Sequence, residues 1–105
     1  MMTINELVSW VKEFNDSRNW KRQAVEVLLG LITEVGELAE CYKWKSVNHT
    51  PTLREKEEVA DELADVVIYV VCIAIAEGID LDNAIVSKIE KNQAKYPLEG
   101  ERNER

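Results

Sequence analysis

The stretch that decides the fold is ADELADVVIYVVCIAIAEG, residues 60–78. Residues 66–76 within it are apolar on every side of a helix, which predicts burial on more than one face. This run is too short to cross a bilayer, which takes about 20 apolar residues. Gly78, at the end of the stretch, is a residue type that commonly caps the C-terminus of a helix. Pro51, in the preceding loop, is a residue type that commonly interrupts a helix. We therefore predict a long, buried helix over residues 53–77.

Three further helices are predicted around it from apolar residues at helical spacing. The first covers residues 3–15 and opens with the capping-box pattern Thr-x-x-Glu. The second covers residues 22–43. The fourth starts after Asp80, a favourable N-cap residue, and continues to about residue 95. Because the sequence carries no strand pattern, no internal repeat and little Gly or Pro, it predicts an all-α fold, a four-helix bundle.

The length and the charge of the chain limit what it can do. Its 105 residues fit one domain, which we place at residues 1–97, followed by a polar tail at residues 98–105 that we expect to be disordered. The net charge of −7 argues against a nucleic-acid polymer as a partner, because phosphate backbones are bound by Lys and Arg. A small polyphosphate is still compatible with this charge if a metal ion reverses the local field.

The cysteines and the N-terminus indicate the cellular compartment, and the long helix indicates the state of assembly. Cys41 and Cys72 both lie in apolar helical sequence, which predicts free, buried thiols in a reducing cytoplasm. The N-terminal residues MMTINELVSW show no signal-peptide pattern, and no membrane span is predicted. A single protomer of four helices would hardly cover the apolar long helix, so we expect a homo-oligomer with this helix near the interface.

Two helices each carry a pair of carboxylates at a spacing of three residues. Glu34 and Glu37 are neighbours on the second helix, and Glu62 and Asp65 repeat the spacing on the third. The helical row through Glu34 is otherwise apolar, which predicts that this carboxylate points toward the bundle. Four anions packed together would repel each other and raise each other's pKa values. A divalent cation would remove this repulsion, and a ligand set made only of oxygens selects Mg²⁺ or Mn²⁺.

Ordinary surface charge is the alternative for these carboxylates, because it explains most Glu-x-x-Glu patterns. We assign Glu40 to the surface, since it falls on a more polar row of the second helix. Gly36 is expected to leave room for the close approach of a neighbouring helix. A ferritin-like di-iron site is not favoured, because it needs two Glu-x-x-His pairs and the one histidine, His49, lies in a loop. Without a zinc, nucleophile or phosphate-loop motif, any hydrolysis would use water activated by metal and carboxylate.

Three segments, in this order, resemble a known family: LITEVGELAECYKWKS (residues 31–46), EVADELADVVIYVVCIA (58–74) and AIVSKIEKNQAKYP (84–97). Over residues 20–97 the chain resembles the all-α MazG-like nucleoside triphosphate pyrophosphohydrolases, and within them the branch of the deoxycytidine triphosphate pyrophosphatases. The pattern of that family is Glu-Glu-x-x-Glu followed by Glu-x-x-Asp. Thr33 occupies the position of the first glutamate. Non-glutamate residues also occur there in that branch, so the change does not imply an inactive protein, but it argues against a general base at this position.

The resemblance implies a Mg²⁺-dependent enzyme that forms dimers or tetramers and hydrolyses a nucleoside triphosphate to the monophosphate and pyrophosphate. It implies as metal ligands and catalytic residues Glu34, Glu37, Glu62 and Asp65. It implies as nucleotide-binding residues Trp20, Trp44, Lys45, Tyr69, Lys88, Asn92, Lys95 and Tyr96. The match is weakest just after Trp20, where WKRQAVEVL lacks the His-x-Pro pattern of many relatives. Without the resemblance, the helical pattern would predict that the aromatic residues of this set pack in the core and that its lysines are solvated.

Our leading hypothesis is therefore a Mg²⁺-dependent deoxynucleoside triphosphate pyrophosphohydrolase that clears non-standard or surplus deoxynucleotides, with deoxycytidine triphosphate (dCTP) or a related nucleotide as substrate. The second hypothesis is a non-catalytic nucleotide-binding sensor, and the third is a helical interaction protein whose carboxylates are surface charge. Release of pyrophosphate in the presence of Mg²⁺ separates the first hypothesis from the other two. Nucleotide binding without turnover would identify the second.

Overall fold

The computed structural model describes residues 1–98, and within that range the chain forms four helices and no strand. The helices are α1 (Ile4–Ser17), α2 (Ala24–Glu40), α3 (Leu53–Glu77) and α4 (Leu81–Lys95). This confirms the all-α class. The predicted polar tail, residues 98–105, lies outside the described residues apart from Leu98. None of the described helices combines the length and the apolar character that crossing a membrane requires.

Side-chain caps explain why three of the helices begin where they do. The Thr3 hydroxyl accepts from the backbone N–H of Glu6 at 3.1 Å, and the Glu6 carboxylate accepts from the N–H of Thr3 at 3.2 Å, which completes the predicted capping box. Thr52 starts α3 with the same reciprocal pair of bonds, and Asp80 caps α4. Gly78 ends α3 in the left-handed region with φ 66°, as its sequence position predicts.

Helix α2 is shorter than predicted at both ends. It starts at Ala24 rather than residue 22, after a capping-box bond in which the Gln23 N–H donates to the Glu26 carboxylate at 3.3 Å. It ends at Glu40, and residues 41–44 form a turn in which Trp44 adopts φ 68°. The early end adds residues 41–43 to the α2–α3 loop, and Trp44 follows them directly.

The core lies where α1, α2 and α3 meet, and it is small. The buried hydrophobic residues are Val11, Val27, Val71, Cys72 and Ala74. Helices α2 and α3 share the largest interface of the described chain. They approach closely at Gly30, where a Cβ atom would lie 2.5 Å from Cε1 of Tyr69. Gly30 thus lets the tyrosine ring rest on the α2 backbone. Nothing lies within 4 Å of a Cβ placed at Gly36, so within the protomer the close approach predicted there occurs at Gly30 instead.

Large apolar surfaces remain exposed on the single protomer. Helix α4 packs against α1, and the Cα radius of gyration of 17.7 Å exceeds the roughly 13 Å of a compact domain of this length. The exposed large hydrophobic residues of α2 are Val25, Leu28, Leu29, Ile32 and Val35. Most of them belong to the apolar periodicity that predicts α2, so the pattern identified the helix although one chain alone does not bury that side.

Candidate functional site

Helices α2 and α3 bring three of the four predicted carboxylates together. Glu34 of α2 and Glu62 and Asp65 of α3 each offer a carboxylate oxygen, and these oxygens all lie within 4.8 Å of one another. The row of α2 that contains Glu34 is buried or half-buried, as its apolar composition predicts. We call these three residues the carboxylate cluster. Glu37, one turn further along α2, is exposed at its edge.

The protonation of the cluster is shifted by burial and by like charge. Burial raises the pKa of Glu34 above its usual range, and a hydrogen bond with Glu37 and the negative charge of that residue raise it further. Burial likewise raises the pKa of Glu62, with the charge of Glu37 as the next cause. Glu37 therefore acts electrostatically on both helices although it lies outside the closest group.

The donor atoms of the cluster fit a divalent cation. The Oε2 atoms of Glu34 and Glu62 are both buried and have no hydrogen-bond donor among the described residues. A buried carboxylate oxygen without a donor is costly, and a bound cation satisfies it. The oxygens repel one another at this spacing, and a set made only of carboxylates suits a hard ion. Glu34, Glu62 and Asp65 could therefore hold such an ion, with Glu37 beside them.

Glu40 does not belong to this group. Its side chain is exposed, and it pairs with Lys43 at 3.8 Å one turn further along the chain. Such exposed pairs contribute little to stability. The assignment of Glu40 to the surface is confirmed.

Beside the cluster lies a pocket of about 240 Å³, between α1, α3 and the α1–α2 connector. We call it the aromatic pocket. The residues lining it include Trp10, Phe14, Trp20, Arg22, Asp65 and Tyr69. The rings of Trp10 and Phe14 stack with centroids 4.9 Å apart, and Trp20 meets Phe14 edge-on at 5.8 Å. The pocket thus joins two predicted nucleotide-binding residues, Trp20 and Tyr69, to a member of the carboxylate cluster.

Trp44 projects from the α2–α3 loop into solvent. Its side chain is 92% exposed, and its φ of 68° is unusual for a bulky residue. Within the protomer it is approached by the Lys43 ammonium, which lies 5.6 Å from the ring centroid. The Trp44 ring is therefore available for contact with a ligand or with another chain.

Lys45 is held by an ion pair at the start of α3. Its Nζ lies 2.6 Å from Oε2 of Glu55, and Nε2 of His49 lies 2.9 Å from the same oxygen. The hydrogen bond from Lys45 is the largest cause that lowers the pKa of Glu55 to about 2. These residues line a pocket of about 520 Å³ between the loop and α3. In the free protomer, Lys45 is therefore paired with the carboxylate of Glu55 and not with the phosphate that it is predicted to contact.

The structure does not bring the remaining predicted residues to the cluster. Lys88, Asn92 and Lys95 lie on α4, and Tyr96 is its C-cap. All four are exposed, and α4 packs against α1, whereas the cluster is built from α2 and α3.

Three residues that shape the site were not predicted from the sequence. Gly30 sets the position of Tyr69, Glu55 holds Lys45, and Arg22 lines the aromatic pocket. Glu55 could have been noticed as the partner of Thr52 in a Thr-x-x-Glu capping box. No local pattern marks Gly30 or Arg22, because their contacts are with residues distant in the sequence.

The sequence and the fold are similar to those of known proteins. The sequence model of the MazG-like family matches residues 32–105. The chain is 35% identical over 102 residues to mouse (Mus musculus) dCTP pyrophosphatase 1, covering 91% of this chain and 60% of that protein. It is 36% identical over 101 residues to human (Homo sapiens) dCTP pyrophosphatase 1, covering 90% and 59%. The chain thus spans about 60% of the length of these relatives.

Two solved structures are similar in fold to this chain over more than 90% of its length. A pyrophosphatase from Archaeoglobus fulgidus is 31% identical with a TM-score of 0.74, and the match covers 93% of this chain and 95% of that one. The iMazG protein from Vibrio DAT 722 is 38% identical with a TM-score of 0.66, covering 92% and 100%. Because the family model covers most of the sequence and the fold agrees with these relatives over nearly its full length, the chain belongs to the MazG-like family.

Proposed function

We propose that this protein is a Mg²⁺-dependent pyrophosphohydrolase that converts a deoxynucleoside triphosphate, with dCTP as the preferred substrate, to the monophosphate and pyrophosphate. The observation that carries the proposal is the double position of Asp65. It belongs to the carboxylate cluster and also lines the aromatic pocket, so a cation-binding group and a surface suited to a nucleobase adjoin each other. The names of the relatives support the reaction and the substrate, since two of them are dCTP pyrophosphatases and one is a pyrophosphatase.

The residues of the cluster divide the chemistry between them. Mg²⁺, when bound by Glu34, Glu37, Glu62 and Asp65, supplies positive charge that offsets charge developing on the phosphate oxygens. One of the clustered glutamates takes a proton from the attacking water. The water oxygen forms a bond to the α-phosphorus while the bond from that phosphorus to the oxygen bridging to the β-phosphorus breaks. Pyrophosphate leaves with the electrons of the broken bond.

The aromatic residues bind the nucleoside. Trp20 and Tyr69 line the aromatic pocket, and stacking of a base on an aromatic ring contributes roughly 1–3 kcal/mol. Trp44 provides a further platform for which its exposed position is suited. When a phosphate arrives, Lys45 exchanges its ion pair with Glu55 for the more highly charged ligand.

The residues of α4 complete the site from a neighbouring protomer. Lys88, Asn92, Lys95 and Tyr96 lie on a helix that packs against α1 in their own chain, so contact with the cluster requires a second copy. The exposed apolar rows of α2 and α3 provide the surface for that copy, and we expect a homodimer or homotetramer.

The test is pyrophosphate release from a panel of deoxynucleoside triphosphates with Mg²⁺, repeated with a chelator. The proposal predicts release that the chelator abolishes. Glu34→Gln should abolish release with the fold intact, whereas the matched control Glu40→Gln, on the exposed side of the same helix, should leave it unchanged. If no nucleotide yields pyrophosphate, the enzyme proposal fails. Nucleotide binding without turnover would then favour a sensor, and absence of both would favour a helical interaction protein.

A further inference from the structure

Arg22 occupies an unusual place at the entrance to α2. Its guanidinium carbon lies 5.3 Å from the ring centroid of Trp20 and 5.9 Å from that of Tyr69. It lines the aromatic pocket together with Asp65. Among residues 1–98 it makes these ring contacts without an ion pair or a hydrogen bond. The Arg22 guanidinium therefore lies near two aromatic rings, and its N–H groups are available to a ligand.

The chemistry of the guanidinium limits what it can bind. The five N–H donors of a guanidinium lie in its plane, with no acceptor among them. A ligand that binds it well must present two adjacent acceptors and no donor at that edge. The aromatic pocket around Arg22 suits a planar ring, because aromatic side chains, among them Trp20 and Tyr69, line it.

The pyrimidine bases differ in the acceptors that they offer to such a group. Cytosine presents two neighbouring acceptors, O2 and N3, along one edge. Thymine and uracil carry a proton on N3, so the same edge would place a donor against a donor. An unpaired donor in a pocket costs binding free energy, and this is the basis on which such a site rejects an analogue.

Building on the proposed function, we propose that Arg22 is a specificity-determining residue that donates to O2 and N3 of cytosine and thereby selects dCTP over dTTP and dUTP.

A phosphate is the competing ligand for Arg22. A second pocket of about 240 Å³ adjoins the aromatic pocket and shares Trp20 and Arg22 with it, and Lys12 and Lys21 also line it. These lysines would suit an anion. The contact with Tyr69 favours the base, because Tyr69 lines the aromatic pocket, on the side of Asp65, and does not line the second pocket.

The experiment compares Arg22→Lys with a matched control, Arg18→Lys. The Arg18 guanidinium also lies over a ring, 3.5 Å from the centroid of Phe14, but it donates to the Phe14 carbonyl and to Ser17. Values of kcat and KM are measured for dCTP, dTTP and dUTP at fixed Mg²⁺, and dissociation constants are measured by calorimetry. Thermal melting establishes that each variant is folded.

We expect Arg22→Lys to lower kcat/KM for dCTP roughly 10- to 100-fold, mainly through KM, because lysine keeps the charge and loses the two-pronged geometry. The values for dTTP and dUTP should change little, so the preference for dCTP collapses, and Arg18→Lys should alter neither. An equal loss for all three nucleotides would overturn the proposal in favour of phosphate binding. If kcat, KM and the dissociation constants of Arg22→Lys equal those of the wild type, Arg22 is a packing residue and the proposal fails.

The calorimetric arm keeps this inference distinct from the proposed function. If the wild-type protein binds nucleotides but turns none over, the enzyme proposal fails. The role of Arg22 is then decided by whether Arg22→Lys removes the difference in dissociation constant between dCTP and dTTP. If the protein turns nucleotides over and the preference survives the substitution, only the role of Arg22 fails. If no nucleotide binds, both fail.

Discussion

Replacing Gly30 by alanine tests how the site is positioned by the packing of α2 on α3. The added Cβ would lie 2.5 Å from Cε1 of Tyr69 and 3.3 Å from Cδ1 and Cζ of the same ring. Favourable carbon–carbon contacts lie near 3.5–4.0 Å, so the ring must move by about 1 Å or the helices must separate. Overpacking of this kind costs about 1–3 kcal/mol. The gain in helix propensity from Gly to Ala, about 1 kcal/mol, offsets part of it.

Gly36→Ala is the matched control. Gly36 lies on the same helix, and nothing lies within 4 Å of a Cβ placed there, so the substitution should add only helix propensity and stabilise by about 1 kcal/mol. The Gly30 variant should therefore unfold more easily than the Gly36 variant by about 1–3 kcal/mol, which is the overpacking cost alone.

The assay is urea or thermal unfolding at one fixed protein concentration, since assembly would otherwise change the apparent stability. For a domain of this size, 1 kcal/mol shifts the melting temperature by about 4–8 °C. Because Tyr69 lines the aromatic pocket, Gly30→Ala should also weaken nucleotide binding, and Gly36→Ala should not. Equal stability of the two variants would refute the packing argument. A loss of stability at Gly36 would place another chain against that residue.

The remaining predictions concern charge and assembly. Glu62→Gln removes one of three repelling carboxylates, so the melting temperature without metal should rise and the further rise on adding Mg²⁺ should vanish; a persisting Mg²⁺ effect would contradict the ligand assignment. The pKa of Glu55 falls from the usual 4.5 to about 2, so its interactions should stabilise the fold above about pH 4.5 and be lost toward pH 2. The melting temperature of Glu55→Gln should therefore fall less than that of the wild type between pH 4.5 and pH 2. An equal fall for both proteins would contradict the stabilising role of Glu55. Light scattering should give the mass of a dimer or tetramer. The mass of a monomer would contradict the proposal that α4 of a neighbouring protomer completes the site.

The parts of the fold that local chemistry determines were predictable. Both ends of α3 follow from Thr52 and Gly78, whose capping preferences act within a few residues. The inward direction of Glu34 follows from the apolar row that contains it, since residues at helical spacing share a face. The C-terminus of α2 was placed three residues too late, because no Gly or Pro marks the turn after Glu40.

Contacts between distant segments were not predictable in the same way. Periodicity reveals which face of a helix is apolar, but it gives neither the rotation nor the height at which two helices meet. The contact of Gly30 with Tyr69 and the ring contacts of Arg22 depend on those quantities. The exposed apolar row of α2 is a second example. The sequence pattern of an apolar helix face is the same whether that face is covered by its own chain or by another.

The most direct test of the central claim is hydrolysis of dCTP in water enriched in oxygen-18, with Mg²⁺ present. Products are identified by phosphorus NMR and their label by mass spectrometry. The proposed mechanism predicts dCMP and pyrophosphate in equal amounts, with the label in dCMP, because water attacks the α-phosphorus. Formation of dCDP and phosphate, label in pyrophosphate, or no product from dCTP or any other deoxynucleoside triphosphate would contradict it.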